Sequence, residues 1–341
     1  MLDEETFFKL KWIVAKNELA NVDKRGSQTY QKPMSGSILD LHSRASEIHT
    51  GLVAAKTDSI LSWLKNINID LFLVDKWTVD IDCNKLPDIG INWNEYQTQP
   101  MSDTMNCVYE FLYKHRTRRP TVFSKDFWYF ESIIDNKITN VSQLEKNDVL
   151  ILSFPFFGDF QIKKDINELL DVCVTKEIPV LLDCVWLPLI KDIIKIEQAD
   201  CIEVITHSMT KTLPLAGIKG GIVFKRKPVL WQEKMYPLGN KLGTWLFAKY
   251  LDDLGYNFVE KSLRPLQEKW CKIFDLEKHD MVYVGVCGTD SFLKKYSLHD
   301  GSSDLISLVP YMENDRELTR YLADSGKLTG LIEVDKNQSV L

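Results

Sequence analysis

From about residue 101, the chain alternates between segments with a helical pattern of apolar residues and short strand-like segments. Helices are predicted at 103–114 and 166–176, and strands at 121–123, 149–154, 180–183, 201–205 and 221–224. This alternation is typical of an α/β sheet with helices on its faces. The runs at 149–152 and 179–182 are apolar without alternation, as expected of strands buried on both faces. Ligands bind at the carboxyl ends of such strands, and Asp183 lies at one of them.

The pattern differs on either side of this region. Before it we expect helices at 4–19 and 48–64, a polar linker at 21–37 and a strand at 70–79; after it, helices at 241–254 and 260–276 and strands around 281–286 and 307–309. The predicted organisation is an N-terminal arm with part of a small domain at 1–95, a large domain at 96–235 and a C-terminal small domain at 236–341.

Composition narrows the class of protein. Of the 341 residues, 45% are hydrophobic and 26% are charged, and the formal net charge is -6. A negative net charge argues against a surface built to bind nucleic acid or anionic lipid. Residues 1–11 lack the apolar core of a signal peptide, and no uninterrupted apolar run reaches about 18 residues, so no targeting or membrane segment is expected.

Seven cysteines are scattered along the chain without a C-x-x-C pair. This spacing favours buried thiols in a reducing compartment over disulfides or metal ligands. We therefore expect a cytoplasmic protein with no metal site.

One set of residues is a candidate catalytic site. Asp183 ends a strand, and Ser208-Met209-Thr210-Lys211 and Ala216-Gly217-Ile218-Lys219-Gly220 follow it. In this order and spacing the chain resembles the fold-type I pyridoxal-phosphate (PLP) enzymes, the aspartate aminotransferase superfamily, as a divergent member. The resemblance covers residues 101–224. It implies the PLP-dependent transferase fold, an α/β architecture with a mostly parallel, seven-stranded central sheet and a smaller α+β domain.

The resemblance assigns a role to each of these residues. Lys211 would form the Schiff base with the PLP aldehyde and shuttle protons, and Asp183 would pair with the pyridine nitrogen of the cofactor. Ser208 and Lys219 would bind the phosphate. Lys219 stands where the family has arginine, so it offers a point charge in place of a planar fork.

Two further segments are candidate cofactor contacts. Ser102, Asp103 and Thr104 open a predicted helix, where the family binds the phosphate; Ser102 is equally well explained as a plain N-cap. Trp128 is the first choice for the aromatic residue that stacks on the PLP ring, ahead of Phe127 and Tyr129. The alternative is that this aromatic group closes the core of the domain.

The sequence departs from the family pattern at three places. The segment at 153–159, with Phe157 and no Asn, replaces the family's Asn-containing segment. Trp186 stands where a Tyr is expected, and its indole can donate a hydrogen bond but has no hydroxyl. The C-terminus has no arginine to bind a substrate carboxylate, and Arg316 and Arg320 are interpreted as surface charges.

These features predict a PLP-dependent aminotransferase that uses an amino substrate and a carbonyl acceptor. Another PLP reaction, of the decarboxylase, lyase or aldolase type, and a PLP-fold protein with reduced or lost catalysis are the alternatives. The resemblance also implies a homodimer, with Tyr30 and Asn240 as candidate cross-subunit contacts. We assign no catalytic role to His207 or Cys184.

Overall fold

The computed structural model describes residues 3–24, 62–63, 66–67, 81–101, 103–161, 165–208, 211, 221–228, 240–298 and 303–327. The strand predicted at 70–79 lies outside these residues, as does the helix predicted at 48–64 apart from residues 62 and 63. The first helix, α1 (Glu4–Lys24), extends past its predicted end into the predicted polar linker. The rest of that linker lies outside the described residues.

A seven-stranded sheet forms the centre of the fold. Its strands are β1 (Tyr96–Met101), β2 (Arg119–Phe123), β3 (Asn136–Ile138), β4 (Asp148–Ser153), β5 (Val180–Asp183), β6 (Ile202–Ser208) and β7 (Gly221–Arg226). They are ordered β1-β7-β6-β5-β4-β2-β3. Only β7 runs antiparallel to its neighbours in this sheet. The predicted α/β class with a mostly parallel seven-stranded sheet is confirmed.

The two apolar runs lie at the middle of this sheet. Every residue of β4 and β5 is buried, as the absence of alternation predicted. The helices of this region are α2 (Thr104–Lys114), α3 (Trp128–Ile133), α4 (Ile166–Thr175) and α5 (Lys241–Asp253). Apolar side chains of α2 and α3 form one buried cluster with the sheet side chains Val149, Ile151, Leu181, Val204 and Val223. Helices α2 and α3 therefore pack on the sheet through this cluster.

The strand register aligns the carboxyl ends of several strands. Ser153 of β4 is paired with Asp183 of β5, and Asp183 is paired with Thr206 of β6. On the other side, Gly221 at the start of β7 is paired with both Met101 and Ser208, the last residues of β1 and β6. All these positions therefore lie along one edge of the sheet.

The structure corrects several predicted boundaries. Strand β6 continues to Ser208, three residues beyond its predicted end. Strands β1 and β3 were not predicted, and the strand expected at 307–309 is instead β10 (Leu305–Ser307), with a short helix starting at Val309. Of the segment expected as a strand around 281–286, only β9 (Val284–Val286) is extended.

The chain divides into two compact units, Asp58–Glu260 and a second made of Met1–Thr57 with Lys261–Leu341. In the second unit, β8 (Glu277–Lys278), β9 and β10 form a three-stranded antiparallel sheet in the order β10-β9-β8. The remaining helices are α6 (Phe258–Phe274), α7 (Val309–Glu313) and α8 (Asp315–Asp324). Phe7 of α1 packs edge-on against Phe274, and Phe274 packs against Tyr311. The domain boundaries near 95 and 235 stay predictions.

Candidate functional site

Asp183 is a buried carboxylate at the carboxyl end of β5, with 6% of its surface exposed. Its Oδ1 accepts a hydrogen bond from Thr206 Oγ1 at 2.6 Å. Burial raises the pKa of Asp183 to about 7, and the charge of Asp126 adds to this rise. The Thr206 hydroxyl, the Val185 backbone N–H and the positive charge of Lys211 act in the opposite direction. Asp183 is therefore a proton-binding group poised near neutral pH.

Lys211 lies close to Asp183 and three residues beyond the end of β6. Its Nζ is 4.8 Å from the centroid of the Trp186 ring. Trp186 follows Asp183 by three residues and is itself 9% exposed. A ring face at this distance attracts a cation. The sequence-predicted pair of Lys211 and Asp183 thus meets at one end of the sheet.

Aromatic rings continue from Trp186 along this edge. The Trp186 ring centroid is 5.3 Å from that of Phe160 and 6.2 Å from that of Phe157. Phe157 in turn packs edge-on against Phe127 at 5.4 Å. The departures from the family pattern at Phe157 and Trp186 are therefore neighbours in space, and the Trp186 ring face lies beside the lysine amine.

Trp128 is the most exposed of the three candidates for a stacking residue. It begins α3 and is 52% exposed, whereas Phe127 and Tyr129 are partly buried. The alternative of a core cluster applies to Phe130, which is fully buried and packs against Phe127 at 5.2 Å. Stacking of Trp128 on a cofactor stays a prediction.

Asp126 is a site residue that the sequence did not reveal. It is 2% exposed, and its two carboxylate oxygens accept hydrogen bonds from the backbone N–H groups of Phe127 at 2.7 Å and of Ser153 at 3.1 Å. Ser153 is the cross-strand neighbour of Asp183. The only sequence signal was an acidic residue three positions after the predicted end of a strand, at the sheet edge where ligands bind.

The register of β1, β7 and β6 places Met101, which precedes one predicted phosphate-binding segment, at the same sheet edge as Ser208. Ser208 is 5% exposed and is paired with Gly221, as is Met101. A Cβ on Gly221 would lie 2.1 Å from the backbone oxygen of His207, so this close approach requires glycine. Ser102 and Lys219 lie outside the described residues.

Helix α2 begins beside this convergence. Asp103 is its N-cap, and Asp103 Oδ1 accepts a hydrogen bond from the Asn106 N–H at 2.8 Å. The helix N-cap is thus Asp103 and not Ser102, which corrects the alternative interpretation of Ser102. Thr104 is the first helical residue. A phosphate here would be close to the backbone N–H groups of the first turn, of which that of Asn106 is bound to Asp103, and also to the Asp103 carboxylate.

His207 and Cys184 are buried groups that contribute to packing. His207 is fully buried between aromatic rings, and its Nδ1 is 2.9 Å from the Tyr256 hydroxyl. Burial lowers the pKa of His207 to about 3, so its ring is neutral. Burial also raises the pKa of the Cys184 thiol well above its ordinary value, which leaves the thiol protonated and unreactive.

The remaining predicted residues are Asn240, Arg316, Arg320 and Tyr30. Asn240 caps α5 by accepting a hydrogen bond from the Gly243 N–H at 2.9 Å. Arg316 and Arg320 are exposed residues of α8. Tyr30 lies outside the described residues.

The cysteines follow the sequence expectation. All seven fall within the described residues, none forms a disulfide, and all but Cys83 are buried. In the part of the chain that the structure describes, no helix is long and apolar enough to cross a membrane.

Comparison with known proteins defines the fold. No family model and no curated protein matches the sequence. Among solved structures, the aminotransferase AspB from Helicobacter pylori has 13% sequence identity and a TM-score of 0.51, over 76% of this chain and 90% of that chain. The histidinol-phosphate aminotransferase from Clostridium acetobutylicum has 14% identity and a TM-score of 0.51, over 79% of this chain and 96% of that chain. The fold is therefore that of the fold-type I PLP-dependent enzymes, in a strongly divergent sequence.

Proposed function

We propose that this protein is a PLP-dependent enzyme in which Lys211 carries the cofactor. Its proposed reaction transfers an amino group from an amino compound to a carbonyl acceptor. The observation that carries the proposal is the buried Asp183 carboxylate, held by Thr206 at the sheet edge where the Lys211 amine lies over Trp186. The aminotransferase fold of the compared structures supports it.

The described residues fit PLP at its ring nitrogen. Asp183 has one oxygen on the Thr206 hydroxyl and a pKa raised to about 7, so it can share a proton with a ring nitrogen. When bound, PLP supplies an aldehyde that condenses with primary amines and a protonated ring that withdraws electrons from the bonds next to the amine nitrogen. Asp183 would hold the proton on that ring nitrogen and fix the orientation of the ring.

Lys211 would bind the cofactor and move a proton. Its amine can attach the aldehyde and, once a substrate amine displaces it, can carry a proton between the substrate carbon and the cofactor. The face of Trp186 would stabilise positive charge at this nitrogen, and Phe160 and Phe157 pack against Trp186.

The phosphate would lie where β1, β6 and β7 end and α2 begins. The Ser208 hydroxyl and the N–H groups of the first turn of α2 are suitable donors there. Ser102, Thr104 and Lys219 are the further proposed phosphate ligands, and Trp128 would cover the ring face. These assignments rest on the sequence spacing and on the register that brings Met101 and Gly221 beside Ser208.

A different PLP reaction is the second candidate. Trp186 and Phe157 supply aromatic surface at positions where the resemblance implies a phenol and an amide. Such a change alters how a substrate is oriented, and orientation decides which bond breaks on a shared scaffold. Decarboxylation, elimination and aldol-type cleavage are the forms it would take, and loss of catalysis is the limiting case.

The proposal includes a cytoplasmic homodimer. The seven unpaired cysteines suit a reducing compartment. The family resemblance supports the dimer, with Tyr30 and Asn240 as proposed cross-subunit contacts. Light scattering after size-exclusion chromatography tests it: a mass near twice 39.5 kDa supports the dimer, and a mass near 39.5 kDa contradicts it.

Absorbance spectroscopy tests the cofactor assignment. Purified protein mixed with PLP is expected to develop the visible band of lysine-bound PLP, and Lys211→Ala should lack it. Lys191→Ala is the matched control, because Lys191 is an exposed lysine of the same unit. A band of unchanged height in Lys211→Ala would remove Lys211 as the attachment point.

Product analysis tests the reaction. A panel of amino acids and simple amines is added to the loaded protein. Transamination yields pyridoxamine phosphate and the matching carbonyl product in equal amounts. Release of carbon dioxide, or of ammonia without pyridoxamine phosphate, would contradict transamination and support the second candidate. The absence of any product from every substrate would indicate lost catalysis.

A further inference from the structure

Two buried carboxylates lie on neighbouring parts of the same sheet edge. Asp183 ends β5, and Asp126 follows the end of β2. Asp126 accepts a hydrogen bond from the N–H of Ser153, and Ser153 is the cross-strand partner of Asp183. Adjacent strands are about 4.8 Å apart, so one strand spacing separates the residue that binds Asp126 from Asp183.

The two carboxylates are held as acceptors. Asp126 receives two backbone N–H groups, from Phe127 and Ser153, and Asp183 receives the Thr206 hydroxyl and the Val185 N–H. Both side chains are at least 94% buried, with exposures of 2% for Asp126 and 6% for Asp183. Hydrogen bonding satisfies some lone pairs but leaves two like charges in a medium of low polarity.

The charged and titratable groups around Asp183 shift its pKa in both directions. Burial raises the pKa of Asp183 most, the charge of Asp126 raises it further, and the charge of Lys211 lowers it. The thiols of Cys184 and Cys107 also lie within the field of Asp183, and burial raises the pKa of each. A further cation bound beside these two carboxylates and the one amine would be attracted by the two carboxylates.

We propose that Asp126 acts with Asp183 as a pair of buried carboxylates that together bind a cationic heteroaromatic ring nitrogen at this edge. The proposal rests on the proposed function and adds a second, indirect anion to the ring site. Asp183 contacts the ring nitrogen. Asp126 is a positioning residue that acts through Asp183, by adding negative charge and by fixing Ser153 beside it.

A simpler role for Asp126 would be to shape the turn before α3. That role needs only an acceptor for the Phe127 and Ser153 N–H groups. Losing it would weaken the binding of a ligand equally whether or not the ligand has a ring nitrogen. Two ligands that differ only at the ring nitrogen therefore distinguish the two roles.

The first measurement uses the protein without cofactor. The carboxyl carbon of Asp183 is titrated by NMR in the wild type, in Asp126→Asn and in Asp159→Asn, with its signal assigned by its loss in Asp183→Asn. Asp159 is the control because it is an exposed aspartate of the adjacent segment that also accepts one backbone N–H, from Gln161 at 3.0 Å. Removing the Asp126 charge should lower the Asp183 midpoint by about one pH unit, and Asp159→Asn should leave it in place.

The second measurement compares PLP with an analogue in which CH replaces the ring nitrogen. Equilibrium dialysis gives both dissociation constants. Asp126→Asn should weaken PLP binding about tenfold more than analogue binding, and Asp159→Asn should weaken neither. Asp126→Ser, which retains a small side-chain acceptor, repeats the test if Asp126→Asn does not fold.

Two results would overturn the pair. One is an Asp183 midpoint that is the same in Asp126→Asn and the wild type; the other is equal weakening of PLP and the analogue. Failure of the proposed function would give a different result. PLP that binds without attachment to Lys211 would refute the lysine assignment. The comparison between PLP and the analogue would still decide the role of Asp126.

Discussion

The Lys211 amine lies 4.8 Å from the centroid of the ring of Trp186, the residue three positions after Asp183. A phenol in this position could donate a hydrogen bond through its hydroxyl, whereas an indole face stabilises a nearby cation. Trp186 is held in place by Phe160 and Phe157 on its other sides. The face of the Trp186 ring therefore contributes to stabilising positive charge on the lysine nitrogen.

This contact predicts the effect of changing Trp186. Trp186→Leu should lower the pH midpoint at which the visible band of lysine-bound PLP titrates, by up to about one pH unit, because a cation–π contact contributes about 0.5–2 kcal/mol. Trp186→Phe should shift it less, since a benzene ring is a weaker partner. Spectrophotometric titration measures the midpoint. Equal midpoints in Trp186→Leu and the wild type would mean that the ring does not stabilise the charge.

Much of the central sheet could be predicted because its strands are buried on both faces. The runs that became β4 and β5 are apolar without interruption; β5 ends at Asp183 as predicted, and β4 lies one residue earlier in the chain than predicted. Strand β1 was missed because Gln97, Thr98 and Gln99 give it a polar pattern and Pro100 lies within it. It lies at the edge of the sheet, where such residues are tolerated.

Residues of the candidate site could be predicted only where their spacing along the chain matches a known pattern. Lys211 and Asp183 were found because their separation in sequence is typical of the fold. Asp126 was missed because its importance comes from a hydrogen bond to Ser153, which is 27 residues away, and from the strand pairing of Ser153 with Asp183. Contacts of this kind depend on the register between strands, which no local pattern contains.

Asp103 should oppose binding of the phosphate group. Its carboxylate caps α2 at the turn where the phosphate is proposed to bind, so two anions compete for the positive end of the helix. Asp103→Asn keeps an equally good N-cap and removes the charge. We expect it to tighten PLP binding about fivefold, from an interaction of about 1 kcal/mol, and to leave binding of unphosphorylated pyridoxal unchanged.

The control for this prediction is Asp200→Asn. Asp200 precedes β6 and lies near Arg226, at the opposite edge of the sheet. Its charge is separated from the phosphate position by the length of β6, which exceeds the screening length of about 8 Å at physiological salt. If both variants tighten PLP binding equally, or if pyridoxal gains as much as PLP, the proximity of Asp103 to the phosphate is refuted.

Asp183 should destabilise the cofactor-free protein as the pH rises. Its pKa is about 7 in the folded chain and near 3.8 when unfolded, so between these values the folded protein binds more protons. Stability is therefore highest below the lower value and falls as Asp183 ionises. From pH 5 to pH 8 this loss is about 3 kcal/mol, and Asp183→Asn should lack it.

Urea unfolding of the cofactor-free protein at pH 5 and pH 8 measures this effect. The free energy of unfolding of Asp183→Asn, relative to the wild type, should increase between the two pH values. Asp159→Asn, which removes an exposed carboxylate, should follow the wild type. Parallel pH dependences of Asp183→Asn and the wild type would show that Asp183 has an ordinary pKa in the folded chain.

In the second unit, Lys11 is a buried ionisable residue whose shifted pKa also makes stability depend on pH. It is a residue of α1 with 2% exposure, and its Nζ lies 4.1 Å from the ring centroid of Tyr296 and 5.5 Å from that of Phe7. Burial lowers the pKa of Lys11 to about 8. Between this value and the ordinary value of 10.5 the unfolded chain binds more protons, so stability rises with pH across this window.

Lys11→Met should therefore stabilise the protein at neutral pH. The apolar side chain has a similar length and avoids burying a charge, which corresponds to about 2–3 kcal/mol at pH 7, partly offset by the lost cation–π contacts. The advantage should shrink as the pH rises towards 10.5, because the folded wild-type amine is then neutral and the unfolded amine loses its proton over the same range. Lys9→Met, at an exposed position paired with Glu5, is the control and should not stabilise at either pH. Urea unfolding at pH 7 and pH 10 measures both variants, and an advantage of Lys11→Met that is the same at the two pH values would contradict the lowered pKa.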